Sequence, residues 1–189
     1  MRTLKTLALV LPLTLCGCLL STGQTTIDYD LGTINVTDSD NLAAVQVDLS
    51  TNADYEEHKD DLEGVTDLAL LGQVTNNLSA TSRHGVLGGG DPTLNVEAWI
   101  TQDETNYTSE AQVRANAIKL WGPLVVAPGA TVQIDWNESS ELFTPWARPL
   151  LLGEMKGDGV FTIYLLGTSG FYNFTVENTT LVLTMEAES

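Results

Sequence analysis

Apolar residues recur with a period of two along most of this chain. Ile27, Tyr29 and Leu31 alternate with Asp28, Asp30 and Gly32, and Val45, Val47 and Leu49 alternate with Gln46, Asp48 and Ser50. Successive side chains of an extended strand point to opposite faces, so the pattern specifies strands with one face in a core and one in water. It returns at Leu68, Leu70 and Val74, at Leu94, Val96, Ala98 and Ile100, and at Val132, Ile134 and Trp136. Pro123 and the turn Ala127-Pro128-Gly129 bracket a short strand at Leu124 to Val126, and Lys156 to Gly159 reads as a turn. Val160 to Leu166, Tyr172 to Val176 and Leu181 to Met185 then predict a closing β-meander. Eight or nine such segments predict a mainly β fold: an antiparallel β-sandwich, Ig-like or jelly-roll-like, with one or two short helices. A closed barrel is the second choice. A transmembrane barrel is disfavoured, because the strands are short and the loops do not alternate long with short.

One helix is expected early. Thr51 or Asn52 caps it, Asp54, Glu56 and Glu57 lie in its first turns, and Gly64 closes it. Ser109 to Ile118 fits either a helix or a strand; Ser109 with Gln112 forms a capping-box pattern and Ala111, Ala115 and Ile118 share one helical face, so a short helix is preferred to a strand. A further helical turn is expected near Glu141 to Phe143, kept short by Pro145 and Pro149. The three glycines before Asp91-Pro92 make residues 82–92 a loop.

Both cysteines, Cys16 and Cys18, lie at the N-terminus. Arg2 and Lys5 form a basic head, Leu7 to Leu15 an apolar stretch too short for a spanning helix, and a small residue then precedes a cysteine. That order is the grammar of a secretory signal. Leu15-Cys16-Gly17-Cys18 resembles the lipobox of bacterial lipoprotein precursors. The resemblance implies cleavage between Gly17 and Cys18 and lipidation of Cys18; Cys16 is a poorer anchor because bulky Leu15 precedes it. Leu19 in place of Asp implies the outer membrane of a two-membrane cell, with the domain on its periplasmic or surface side. The competing readings are an ordinary secretory signal and an uncleaved anchor, and the latter needs about 20 apolar residues, which polar Ser21 to Thr26 interrupt. The expected organisation is a signal over residues 1–17, a lipidated cysteine and tether over 18–26, and one domain over 27–189. The mature domain then has no internal disulfide and depends on its core.

Removal of Arg2 and Lys5 moves the formal net charge from −17 to −19. Such a chain is repelled by nucleic acid and by anionic headgroups, so nucleic acid is not an expected partner. His58 and His84 are the only histidines, which disfavours a zinc-type site. No cofactor is expected, with calcium at Asp38 and Asp40 as a minor possibility, since neither spacing nor glycine matches a calcium loop. There is no G-x-S-x-G nucleophile motif, and no acidic pair stands out, so an enzyme is not expected, with an acid-pair hydrolase as the weakest alternative. Trp99, on the strand face of Asn95 and Glu97, and Trp146, between two prolines, are the candidate exposed aromatics for a carbohydrate or peptide; Trp136 reads as core. Six N-x-[ST] triplets begin at Asn35, Asn77, Asn106, Asn137, Asn173 and Asn178, and the Thr-rich composition accounts for them.

Leu49 to Leu62 and Val113 to Ala117 resemble segments of secreted bacterial β-proteins, a likeness that carries no functional residue over. The expected role is a lipid-anchored, non-enzymatic envelope protein, structural or interacting with a protein or glycan. The alternative is a carbohydrate- or peptide-binding module.

Overall fold

The computed structural model describes residues 23–38, 42–79, 93–101, 106–167 and 171–187. Its strands are β1 (Gly23–Thr37), β2 (Ala43–Asp48), β3 (Leu62–Asn76), β4 (Leu94–Thr101), β5 (Ile118–Val126), β6 (Thr131–Ile134), β7 (Val160–Gly167) and β8 (Asn173–Ala187). They form two four-stranded antiparallel sheets, ordered β1-β8-β3-β6 and β2-β7-β4-β5. First pairs with last, second with seventh, third with sixth and fourth with fifth. This nested pairing is that of a jelly roll, which decides between the two sandwich types expected from the sequence.

The core lies between the sheets. Ile27 and Val36 of β1, Leu68 and Val74 of β3, and Phe174 and Leu183 of β8 face Val47, Val96, Ile100, Trp121, Phe161 and Ile163, all essentially buried. Near one end, the buried Asn76 amide crosses between the sheets, donating to the Val126 carbonyl at 3.1 Å while its oxygen accepts from the Leu78 N–H. β5 kinks at Gly122, whose φ of +98° suits glycine, and a Cβ there would collide with the Val96 carbonyl.

Several boundaries differ from those read in the sequence. β1 begins at Gly23, so residues 23–26, read as tether, pair with Thr184 to Ala187. The closing meander is absent: the last two segments are one strand, β8, which belongs to the opposite sheet from β7. Asn178, at a φ of +50°, sits where register shifts interrupt the pairing of β8 with β1 and β3, so polar Glu177-Asn178 is a bulge and not a reversal. Four α-helices stand among the described residues, against one or two expected. α1 (Ala53–His58) is capped by Asn52, whose side chain accepts from the Asp54 and Tyr55 N–H groups. It ends well before Gly64, because Leu62 already opens β3. α2 (Glu110–Asn116) is capped by Ser109 as expected, but Val113 is its buried residue, while Ala111 and Ala115 are exposed.

Trp136 is not a core strand residue. Asp135 accepts from the Glu138 N–H at 2.9 Å and starts α3 (Trp136–Leu142), leaving Trp136 half-buried at its first position. α4 (Ala147–Lys156) follows, with Pro149 third in the helix, where its missing N–H would have had no helical acceptor.

β6 pairs only with Gly72 to Thr75, which would leave the earlier part of β3 as an open edge. α3 covers it. Ser139 Oγ accepts the Leu70 N–H at 2.6 Å, and the Ser139 carbonyl accepts from the Trp121 indole at 3.1 Å. The Ser139→Ala variant is therefore expected to lose about 1–3 kcal/mol, the cost of a buried N–H without an acceptor, read as a lower denaturant midpoint at unchanged m-value.

Thr179 presents the opposite case. Its hydroxyl is buried without a hydrogen-bond partner and lines an apolar gap of about 10 Å³ between the sheets. Thr179→Val removes that polar group at nearly constant shape, so its midpoint should equal or exceed that of the wild type.

Candidate functional site

β7 is apolar on both faces, so the outer face of its sheet needs a cover. α2 supplies one. Val113 packs against Tyr164 and Leu166 of β7, with Trp99 of β4 and Tyr107 at the margin. The Tyr107 and Tyr164 rings lie 5.9 Å apart, and the Tyr164 hydroxyl accepts the Tyr107 N–H at 3.0 Å.

A charged network fastens this helix. Glu97 projects from the outer face of β4, and its side chain is only 8% exposed. One carboxylate oxygen accepts from Lys119 Nζ at 3.2 Å; the other accepts from Arg114 Nη1 at 2.9 Å and from the Trp99 indole at 3.2 Å. Arg114 also donates to Glu110 at 2.8 Å and to the Gly167 carbonyl at 2.7 Å, and its guanidinium lies 5.6 Å from the Trp99 ring centre. One arginine thus ties α2 to β4 and to the end of β7.

Burial pushes the Glu97 carboxyl up, but the hydrogen bonds from Arg114, Lys119 and Trp99 together outweigh it and hold the group below the usual glutamate value. A general acid needs the opposite shift. Arg114 loses ground to burial and regains more from Glu110 and Glu97, so it stays charged. Next to it, the buried Tyr172 hydroxyl donates to Glu110 at 3.2 Å. Burial first, and then the Glu110 charge, push this phenol well above the ordinary tyrosine range, so it is a fixed donor and not a nucleophile.

Tyr172 and Glu110 also form part of the wall of a cleft of about 240 Å³. Thr37 and Asp38 line it from the end of β1, Leu42 and Ala43 from the start of β2, and Thr108 and Ser109 from the segment before α2. Its wall mixes hydroxyls, two acids and aliphatic carbon, which suits an uncharged polar or cationic small group and disfavours an anion.

The residues singled out in the sequence separate here. Trp99 lies on the strand face expected, beside Glu97, but it is half-buried beneath Arg114 and is not an open platform. Trp146 is 70% exposed, as expected of a surface aromatic. It stands next to α4, where Arg148 reaches Asp67 at 3.6 Å. The two are not brought into one site. Asp38 donates its backbone N–H to the Tyr172 carbonyl at 3.1 Å; Asp40, Cys18, Gly17 and His84 lie outside the described residues. Among the described residues no group of three or more His, Cys, Asp or Glu side chains is arranged to hold a metal ion. Sequence reasoning missed Glu97, Glu110 and Arg114 as a unit. The i,i+4 spacing of Glu110 and Arg114 was a readable signal; the approach of Glu97 across the fold was not.

Glu97 gives a defined pH dependence. A carboxyl lowered in the folded state adds stability above its unfolded value, about 4.3, and that stability is lost as pH falls through the folded value. The wild-type melting temperature should therefore drop as pH is lowered below about 4.3, and Glu97→Gln should lose that part of the slope while starting from a lower value at neutral pH.

No family model matches this chain, and neither does any curated protein. Among solved structures, a chain from Desmodium yellow mottle tymovirus aligns with 99% of this chain and 98% of its own length, at 11% identity and a TM-score of 0.26. A likeness at that level says nothing about function.

Proposed function

We propose that this chain is a lipid-anchored protein of the bacterial outer membrane whose jelly-roll domain has a non-enzymatic, interaction-bearing role. The observation that carries the proposal is the sequence Leu15-Cys16-Gly17-Cys18, set only four residues ahead of β1. From Cys18 to Gly23 the chain can reach about 18 Å at most, so lipidation holds the domain against the bilayer. No helix among the described residues is long and apolar enough to cross a membrane, and attachment in this reading is by acyl chains alone. Two or more chains at about 0.8 kcal/mol per buried methylene make such an anchor lasting.

In this reading the anchor also sets an orientation. Gly23 and Leu62 both pair with Ala187, so the ends of β1, β3 and β8 at this edge face the membrane. Thr37 pairs with Asn173 at the other end, about 45 Å away along a 15-residue strand. The 240 Å³ cleft lies there, at the membrane-distal end. The charged groups beside α2 support a scaffold role: Glu97 accepts from Arg114, Lys119 and Trp99, and Arg114 is held by Glu97, Glu110 and the Gly167 carbonyl.

Replacing Cys18 with Ser tests the anchor. Wild type should partition into detergent and incorporate labelled palmitate, whereas Cys18→Ser should do neither and Cys16→Ser should behave as wild type. Palmitate incorporation that survives Cys18→Ser sinks the assignment.

A further inference from the structure

Three of the N-x-[ST] triplets meet on the outer face of the β1-β8-β3-β6 sheet. Asn35 of β1 pairs in register with Thr175 of β8, Thr175 with Thr75 of β3, and Thr75 with Thr131 of β6. Residues directly opposite in antiparallel strands share a face, so these four make one row across the whole sheet. The contacts agree: Thr75 and Thr131 hydroxyls lie 2.9 Å apart, and the Thr175 hydroxyl donates to Asn35 Oδ1 at 3.1 Å. A second row adjoins it, where the Asn77 amide nitrogen donates at 3.0 Å to both Asn173 Oδ1 and Thr175 Oγ1. On the other side, Gln73 pairs with Gln133 of β6 and with Glu177 of β8, where the neutral patch ends.

Two properties set this patch apart. Its Asn/Thr rows carry no charge, although the chain has 25 acidic and 8 basic residues, and the acid that borders them is Glu177, opposite Gln73. It also keeps unused hydrogen-bonding groups: Asn35 Nδ2, Asn173 Nδ2 and Asn77 Oδ1 have no partner among the described residues, while bonds to the other amide and hydroxyl groups hold these side chains in place. A fixed array of neutral donors and acceptors fits a partner that is itself neutral and rich in hydroxyls. An anionic polymer is repelled by the surrounding acids, and an apolar partner would leave the amides unsatisfied.

We propose that this Asn/Thr lattice is a contact surface for a neutral polysaccharide, held at the membrane-distal end of the domain. The inference deepens the interaction role proposed above and rests on that reading for its orientation, but the hydrogen-bonding face itself does not depend on the anchor. It also replaces the aromatics as the glycan-contacting residues, since Trp99 is covered and Trp146 lies elsewhere.

The test is affinity electrophoresis of the full-length, detergent-solubilised protein in gels containing a soluble β-1,3-glucan, a mannan or dextran, with alginate as the anionic contrast. At least one neutral polymer should retard wild type and alginate should not. The isosteric pair Asn35→Asp and Asn77→Asp, combined in one protein, should weaken the retardation at least tenfold, and Trp146→Ala should leave it unchanged. Thr131→Lys, on the exposed edge strand, repeats the test if the double variant melts early. The proposal is overturned if no neutral polymer retards wild type, if the variants migrate as wild type does, or if only Trp146→Ala loses retardation. It is equally overturned if the same substitutions abolish a concentration-dependent dimer, which would make a second copy the occupant, or if mass spectrometry finds Asn35 or Asn77 covalently glycosylated. Because the assay runs in detergent, it is independent of Cys18; failure of the anchor reading shows only in the partitioning of Cys18→Ser.

Discussion

β8 has a hydrogen-bonded neighbour on each side along most of its 15 residues, and the rest of the sandwich is arranged around it. Its inner residues fill the centre of one sheet: Leu183 stands between Ile27 and Leu68, and all three are buried. β1 has no other partner within that sheet, and β3 has only the four-residue β6 on its far side. The N-terminal strand is thus completed by the last part of the chain. Thr26 and Thr184, 158 positions apart, come within 3.5 Å. Closing so long a loop costs little more than closing a shorter one, but pairing of this kind comes late and makes folding slow.

The second sheet solves a different problem. β7 lies at its interior, and its run Val-Phe-Thr-Ile-Tyr-Leu-Leu is apolar on both faces. One face meets the opposite sheet; the other has no sheet to meet. Seven residues of α2 cover it, too few for a helix to be stable alone. Arg114 and Glu97 supply the missing fixation, and the hydrophobic strand and the charged network are two halves of one arrangement.

Much of this was legible in the residues, for reasons that can be named. The period-two segments found β1 through β4 because residues facing the opposite sheet are apolar and recur at every second position, and Asn52 and Ser109 announced their helices through capping chemistry. The failures share a cause: a local pattern compatible with two structures, decided by contacts distant in sequence. Val132, Ile134 and Trp136 alternate as a strand should, yet Asp135 caps a helix because β3 needs its edge covered there. Glu177-Asn178 has the composition of a hairpin turn, but with β1 and β3 on either side the chain runs straight on as a bulge. Trp99 stood on the predicted face, and nothing local said that α2 would fold back over it. The Asn/Thr rows were visible only as scattered triplets until the register aligned them.

The pairing of Gly23 with Ala187 also has a mechanical meaning. A pull on the N-terminal end of β1, resisted by a load at the Thr37 end, runs parallel to the strand. The hydrogen bonds from Gly23–Ala187 to Thr37–Asn173 are then stretched side by side, in shear, and must fail together. A pull applied across the sheet would instead open them one at a time, like a zip. Loaded along the strands, the β1–β8 pair resists better than when loaded across them.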